Sequence, residues 1–347
     1  MNNLLIRADN LTGMRYLLDT LNLKNKVDLV YIDPPFATGD VFLTSKDRSS
    51  TISRAKDGEV AYTDALQGEE YLEFLRARLL LLRELLSERG SIYLHIDYKI
   101  GHYVKVVMDE VFGAENFRND ISRVKCNPKN FARVGYGNVK DLILFYSKST
   151  KPIWREPKTA YSEADVARLF PKKDENGRAY TTVPIHAPGE TKNGKTSLPF
   201  KGMNPPKGRH WRADVETLEE WDAQGLLVWS SRGNPRKKIF ADEQEGKRVQ
   251  DIWEFKDPPY PVYPTEKNLD MLTLIVATSS DENSVVLDAF CGSGTTLKAA
   301  QFHGRTWIGI DSSEIAIEVT RKKLGDETKD LFSESRGYDF IDLQDVG

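Results

Sequence analysis

Residues Val27 to Gly39, VDLVYIDPPFATG, constrain this chain more than any other stretch. Val27, Leu29, Val30, Tyr31 and Ile32 form an apolar, β-prone run of the kind that is buried on both faces of a parallel sheet. Asp33 ends the run. Pro34 and Pro35 keep it ended, because proline donates nothing to a ladder and pushes the residue before it out of the helical region. A stiff turn at the carboxyl end of a parallel strand is where open α/β sheets hold ligands. This turn carries one carboxylate, two prolines without a competing N–H, and the aromatic face of Phe36. Those parts suit a flat heterocycle bearing an exocyclic amine. The plainer alternative is a strand followed by a proline-rich surface turn, and the rest of the chain must decide between them.

The flanking pattern is that of alternating strands and helices. Residues 4–8 read as a strand, Asp9 and Asn10 as an N-cap, and Met14, Leu17, Leu18 and Leu21 as one helical face, so a right-handed βαβ unit delivers the turn. Residues 37–68 are polar and weakly patterned, and follow the turn closely enough to close over a ligand. A helix is expected over 69–88, acidic in its first turn, with a leucine stripe that belongs to the core. A strand over 90–97 ends in His95 and Asp97; a lone histidine on a strand is more often structural. A helix over 101–113 and two antiparallel strands, 119–125 and 141–147, come next.

Bulk composition narrows the class. With 347 residues, 29% charged and 39% apolar, the chain can bury a substantial core. Cys126 and Cys291 lie in no metal-ligand or disulfide spacing, which predicts a reducing cytosol and no metal. The N-terminus turns polar too soon for a secretion signal and no apolar run approaches a membrane span, so a cytoplasmic, membrane-free protein is expected. The net charge of −3 gives no global sign of nucleic-acid binding. Locally, residues 118–158 hold ten Lys and Arg against three Asp and Glu, interleaved with aromatic residues. Arg123, Lys125, Lys129 and Arg133 are therefore candidate nucleic-acid contacts, with a solvated basic face as the alternative.

Residues 151–260 lose periodicity and gain Pro, Gly and Trp, which reads as an irregular inserted domain with one helix at 214–224. Its loops add Arg209, Arg232, Arg236 and Lys237 as candidate contacts. A second Asp-Pro-Pro-Tyr, Asp257–Tyr260, follows no apolar strand and is expected to be a linker turn. After a helix over 266–280, residues 284–311 run strand, glycine turn, helix, strand, acid. The turn Asp288–Thr296, DAFCGSGTT, lacks the lysine of a phosphate-binding loop. It also carries Leu297 where a dinucleotide fingerprint needs a small residue. An S-adenosylmethionine (SAM) site asks for less. It needs backbone amides at a tight turn, an acid for the ammonium (Asp288), and an acid at the end of the next strand for the ribose (Asp311).

Together these segments resemble the β-class amino-group DNA methyltransferases. The resemblance rests on DPPFATG (33–39), GSIYLHID (90–97), MDEVFGAENF (108–117), DIW (251–253), YPTEKN (263–268), DAFCGSGTT (288–296) and GRTWIGID (304–311). Departures are Phe36 for Tyr, Ala289 for Pro, Tyr263 for His and Asn268 for Pro. Phe36 keeps a stacking face, and the others bear on turn geometry. The resemblance implies a Rossmann-like, circularly permuted α/β fold: a mostly parallel seven-stranded sheet with an inserted recognition domain. It implies a catalytic half at 1–150, recognition at 151–260 and a SAM half at 261–325; the acidic tail at 326–347 reads as loosely held.

The implied catalytic residues are Asp33, Pro34, Pro35 and Phe36. The implied SAM contacts are Asp9, Asn10, Asp33, Thr265 and Lys267, then Asp288, Phe290, Cys291, Gly292, Ser293, Gly294 and Thr295, and lastly Asp311 and Ser312. The implied reaction is methylation of adenine N6 in double-stranded DNA, with cytosine N4 as the alternative; RNA or protein-glutamine methylation and an inactive DNA-binding module fit less well. A homodimer and a cognate restriction endonuclease are partners the sequence leaves open.

Overall fold

The computed structural model describes residues 1–35, 68–128, 130, 132, 134–191, 193–231, 233–261, 263, 266–325 and 337–344, and the backbone of 41–44 and 59–63. Phe36, Lys129, Arg133, Arg232 and Thr265 lie outside the described residues. The chain divides into two compact units, 1–157 with 250–347, and 158–249.

The first unit is built on one sheet. Its strands in chain order are β1 (Asn3–Arg7), β2 (Val27–Ile32), β3 (Leu86–Ile96), β4 (Phe117–Val124), β5 (Lys140–Ser147), β6 (Ile252–Trp253), β7 (Val285–Asp288), β8 (Thr306–Asp311) and β9 (Tyr338–Asp342). Their spatial order is β6-β4-β5-β3-β2-β7-β8-β1-β9. All described pairings are parallel except those of β5, which runs against both β3 and β4. The seven strands from β4 to β1 form the expected frame, and β6 and β9 extend its two edges.

β2 and β7 are neighbours, with Leu29 opposite Val286 and Val30 opposite Leu287. β7 pairs with β8, and β8 with β1. The helices are α1 (Asn10–Asp19), α2 (Gly68–Leu85), α3 (Gly101–Phe112), α4 (Leu269–Ser279), α5 (Thr295–Phe302) and α6 (Glu314–Gly325). The leucine stripe of α2 does what its spacing predicts: Leu75, Leu79 and Leu82 are buried with Leu17, Val30 and Ile32 in one core.

Three boundaries differ from the sequence expectation for identifiable reasons. α2 stops at Leu85 because Leu86 already pairs with Val27, and a register irregularity absorbs the residues up to Ser91. α4 starts at Leu269 because the side chain of Asn268 accepts the Met271 N–H at 3.0 Å, an N-cap bond. The tail is not loose over 338–342: these residues pair with β1 throughout, and Arg7 bridges to Asp342 and Glu314. Within 37–68, Val41–Thr44 and Glu59–Thr63 form an antiparallel hairpin. No described helix is long and apolar enough to cross a membrane.

Residues 158–249 have their own small core, Ile185, Phe200, Trp211, Leu218 and Leu227, beneath the helix Val215–Ala223. Ala179–Pro184, Leu227–Trp229, Pro235–Phe240 and Lys172–Lys173 make a four-stranded sheet. The strands are too short for their alternation to show in sequence. The unit begins and ends side by side, because Lys158–Thr159 pairs antiparallel with Lys247–Arg248. The flanking segments stay with the large sheet: Ile153 and Arg155 donate to the carbonyls of Arg89 and Thr278, and β6 pairs with β4.

Candidate active site

The acids singled out in the sequence stand along one edge of the large sheet. Register places Asp33 beyond the end of β2, Asp288 at the end of β7, Asp311 at the end of β8, Asp9 beyond β1 and Asp97 beyond β3. These five strands are parallel, so this is their common carboxyl edge, where backbone groups leave the ladder and side chains from distant segments converge.

The turn after β7 is tightly held. Asp288, buried, accepts from Phe290 N at 3.0 Å and Thr296 Oγ1 at 2.6 Å. Burial pushes its pKa up to about 7, against those two hydrogen bonds, and the nearby Asp33 and Asp311 add to the rise. Asp311 accepts from Gly292 N at 2.8 Å and Ser313 N at 2.9 Å, clamping the turn to the next strand. Loss of water around Asp311 raises its pKa as well. Gly294 N donates to Cys291 O, and Gly294 caps α5 with φ +73°, a conformation glycine adopts at no steric cost.

Leu297 sits where a dinucleotide fingerprint has a small residue, yet α5 still packs closely on the sheet. The space comes from the opposite side: a Cβ at Gly309 on β8 would lie 2.5 Å from Leu297 Cδ1. Gly309→Ala is therefore expected to cost about 1–3 kcal/mol by overpacking. Combined with Leu297→Ala, which alone leaves a cavity, it should cost less than the sum of the two single losses, and thermal denaturation of the single and double variants checks the coupling.

Two predicted cofactor side chains are committed elsewhere. Ser293 Oγ and Thr295 Oγ1 each lie 3.0 Å from Lys323 Nζ, which also pairs with Glu266 at 2.6 Å. Cys291 is buried, its thiol pushed up by burial, so it is inert. Ser312 is exposed, its carbonyl held by Gln344. On the far side of the edge, Asp9 caps α1 through Leu11 N and pairs with the buried Arg78 at 3.1 Å. Asn10 bonds the Ala289 carbonyl at 3.3 Å and also contacts Arg78. Arg78 lies 3.4 Å over the Phe74 ring, which neighbours Phe290. Arg78 was hidden in the leucine stripe of α2, and an arginine on the buried face of an amphipathic helix was the available signal.

Asp33 sits between two cations or potential cations. Lys267, predicted as a cofactor contact, forms an ion pair with Asp33 Oδ2, and its side chain is 9% exposed. His95 Nδ1 lies 3.9 Å from Asp33 Oδ1. His95 is fully buried and belongs to a chain of polar groups beneath the turn. Tyr31 OH is 2.9 Å from Nδ1, and Asp141 Oδ2 is 3.2 Å from Nε2. Burial lowers the His95 pKa, with Asp141 and Asp33 opposing, so the ring is neutral. A neutral ring that gives its Nε2 proton to Asp141 accepts from Tyr31 at Nδ1, and then has no proton to offer Asp33. Asp33 Oδ1 is accordingly buried without a hydrogen-bond partner among the described residues.

The same network corrects two predicted nucleic-acid contacts. Arg123 is fully buried: Nε donates to Phe255 O at 2.7 Å, and the guanidinium pairs with Asp141 and Asp257. Lys125 is bound to Asp141, with Asp97 at 3.8 Å. Burial works against charge on Asp141, but His95 and Lys125 outweigh it and hold the carboxyl well below the usual range. The second Asp-Pro-Pro turn is thus pinned to β4 through Asp257, not a free linker. Much of the basic surplus of 118–158 is similarly committed, since Arg118 bonds Ser147 and Ser149, Lys148 bonds Asn25 and the Leu86 carbonyl, and Arg155 pairs with Asp281.

In the smaller unit, Arg209 is exposed and 3.1 Å from His186, whose pKa is lowered by burial and by Arg209, Arg212 and Arg236. Arg236 bonds Thr182, and Lys237 lies 3.5 Å over the Trp221 ring.

A permuted, mostly parallel sheet with a proline turn and a glycine turn on adjacent strands is the Rossmann-like methyltransferase architecture. Residues 27–322 match the N6/N4 family model described as DNA methylase, and the chain belongs to that family. It is 42% identical over 304 residues to the type II methyltransferase M.EcaI of Enterobacter cloacae, covering 86% of this chain and 64% of that one. It is 27% identical to the type III StyLTI Mod subunit of Salmonella typhimurium, covering 96% of this chain and 56% of the relative. The chain thus spans less than two thirds of the length of both. Among solved structures, the PvuII cytosine-N4-specific DNA methyltransferase shares the fold at TM-score 0.50 and 12% identity, over 99% of this chain and 96% of that one. A DNA modification methylase of Thermus thermophilus, TTHA0409, solved with S-adenosyl-L-methionine, does so at TM-score 0.50 and 15% identity, over 98% of each.

Proposed function

We propose that this chain is a SAM-dependent DNA methyltransferase acting on the exocyclic N6 of an adenine rotated out of the duplex. The observation that carries the reading is the buried Oδ1 of Asp33, without a hydrogen-bond partner among the described residues and one strand away from the glycine turn. The repulsion among Asp33, Asp288 and Asp311 fits a ligand bearing a sulfonium and an ammonium, and the amides at the start of α5 fit its carboxylate. Asp288 would hold the ammonium, Asp311 the ribose, and Asp9, Asn10 and Phe290 the adenine end. When bound, SAM supplies an electrophilic methyl group.

The chain's own part is alignment. An aromatic amine is a poor nucleophile because its lone pair is delocalised. Asp33 Oδ1 and the Pro34 carbonyl accept its two N–H groups, orienting the lone pair and favouring the tetrahedral nitrogen as charge develops. Phe36 supplies a stacking face. Asp33 need not be a strong base, because the methylated ammonium is acidic. Adenine is preferred over cytosine because the family's N4 members more often carry serine where Asp33 stands. Residues 158–249, with Arg209, Arg212 and Arg236 around His186, form the proposed recognition unit for double-stranded DNA.

Transfer of tritium from labelled SAM to DNA, RNA and protein tests the class, and sequencing of the modified DNA tests the base and its context. Label in RNA or protein alone would overturn the reading, and methyl on cytosine N4 would overturn the choice of base. A pH dependence follows too. A cation bound at Asp288 requires the carboxylate, and the free protein holds that carboxyl near 7. SAM affinity is therefore expected to fall roughly tenfold from pH 7 to pH 5.5 by linkage, with the dependence lost in Asp288→Asn. Calorimetric titration at the two pH values checks it.

A further inference from the structure

The Asp33–Lys267 pair has a chemistry that neither residue has alone. Resting on the function proposed above, we infer that Asp33 and Lys267 read the edge that adenine and cytosine share: the carboxylate accepts from the exocyclic amine, and the Lys267 ammonium donates to the adjacent ring nitrogen, N1 of adenine or N3 of cytosine.

Lys267 is built into this position. Its side chain is more than nine-tenths buried and ends at Asp33 Oδ2, while Oδ1 has no hydrogen-bond partner among the described residues. The neighbouring Glu266 points the other way, to Lys323 under the glycine turn. One short segment therefore ties the cofactor turn with one residue and the catalytic turn with the next. Asn268 anchors the segment by capping α4 and bonding the Lys256 carbonyl at 3.0 Å. A lysine so placed presents donors beside an acceptor. The amine edges of adenine and cytosine present the complement, an N–H beside a bare ring nitrogen. The Watson–Crick edges of guanine and thymine place a ring N–H there, so an ammonium meets a donor and both are left unsatisfied. Lys267 is thus a specificity-determining contact for the amidine edge, not a cofactor ligand.

The test uses the full chain and a duplex carrying the site found by sequencing, with the target base either natural or its deaza analogue (1-deazaadenine or 3-deazacytosine), in which C–H replaces the ring nitrogen. kcat, KM and SAM affinity are measured for the native chain, Lys267→Met and Lys267→Arg. Deleting either partner of a charge-assisted bond is expected to lower kcat/KM about 10- to 100-fold. Deleting both should cost little more than deleting one, and Lys267→Arg, which keeps a donor, should retain part of the preference for the natural base. SAM affinity should stay within about threefold in each variant. Multiplicative losses, or a Lys267→Met defect traced to weaker SAM binding, overturn the inference while leaving the methyltransferase reading intact. Failure of the native chain to methylate the natural duplex overturns that reading itself. If Lys267→Met does not fold, the Arg variant and the analogue alone decide: equal turnover of both bases by Lys267→Arg and by the native chain overturns the inference.

Discussion

Asp33→Ala is expected to lower single-turnover methyl transfer by two to three orders of magnitude, on the order of the loss seen when one transition-state hydrogen-bond partner is removed. The substitution removes the unpartnered Oδ1 and, at the same time, the anion that faces Lys267. The glycine turn is held by Asp288 and Asp311 through bonds that do not involve Asp33, so SAM affinity should change by no more than about threefold. Asp33→Asn keeps one acceptor oxygen and loses the charge, and should fall between the native chain and the alanine variant. Rapid-quench transfer from tritiated SAM, run beside calorimetry of SAM binding, separates the two effects. Near-normal transfer by Asp33→Ala would remove Asp33 from the reaction.

Arg123→Met is expected to act on stability, not on DNA contacts. The guanidinium is fully enclosed and satisfies the Phe255 carbonyl and Asp257, with Asp141 at 3.6 Å. Methionine fills much of the volume but leaves the Phe255 carbonyl unpaired and takes the cation from half-exposed Asp257, while Asp141 keeps Lys125. An acceptor left unpaired in the interior costs about 1–3 kcal/mol, and the pair with a solvent-accessible carboxylate adds little. In a unit of this size that lowers Tm on the order of 5 °C. The slope of log DNA affinity against log salt should be unchanged. A surface arginine on a phosphate would give the opposite pair of results: a slope smaller by about one and an unchanged Tm.

The main frame was legible because its signals are local. VDLVYI before two prolines, SVVLDAF before a glycine turn and the leucine stripe of 69–88 each declare their element within a dozen residues. The pairing of β2 with β7 was legible only through the family resemblance, since nothing local says that Leu29 lies opposite Val286. What escaped were groups whose meaning depends on a distant partner. Arg123 looked like a surface cation because its acids come from β5 and from a turn after β6. The pairing of Lys267 with Asp33 was not legible because its carboxylate lies at the end of β2. His95 reads as an ordinary strand residue until Tyr31, Asp141 and Asp33 are placed around it. The tail looked loose because its pairing partner, β1, is at the other end of the chain.

The two-stranded stem formed by Lys158–Thr159 and Lys247–Arg248 bears on how such a chain folds. In the unfolded chain, β4 and β5 are separated from β6 and α4 by the whole of 158–249, and bringing them together pays loop-closure entropy over that length. Once the stem pairs, the excursion is short-circuited. The pairing of β6 with β4 then closes a loop shorter by the length of 158–249, which lowers its closure cost. A smaller unit that folds first around Phe200 and Trp211 would then act as an internal folding aid for the large sheet.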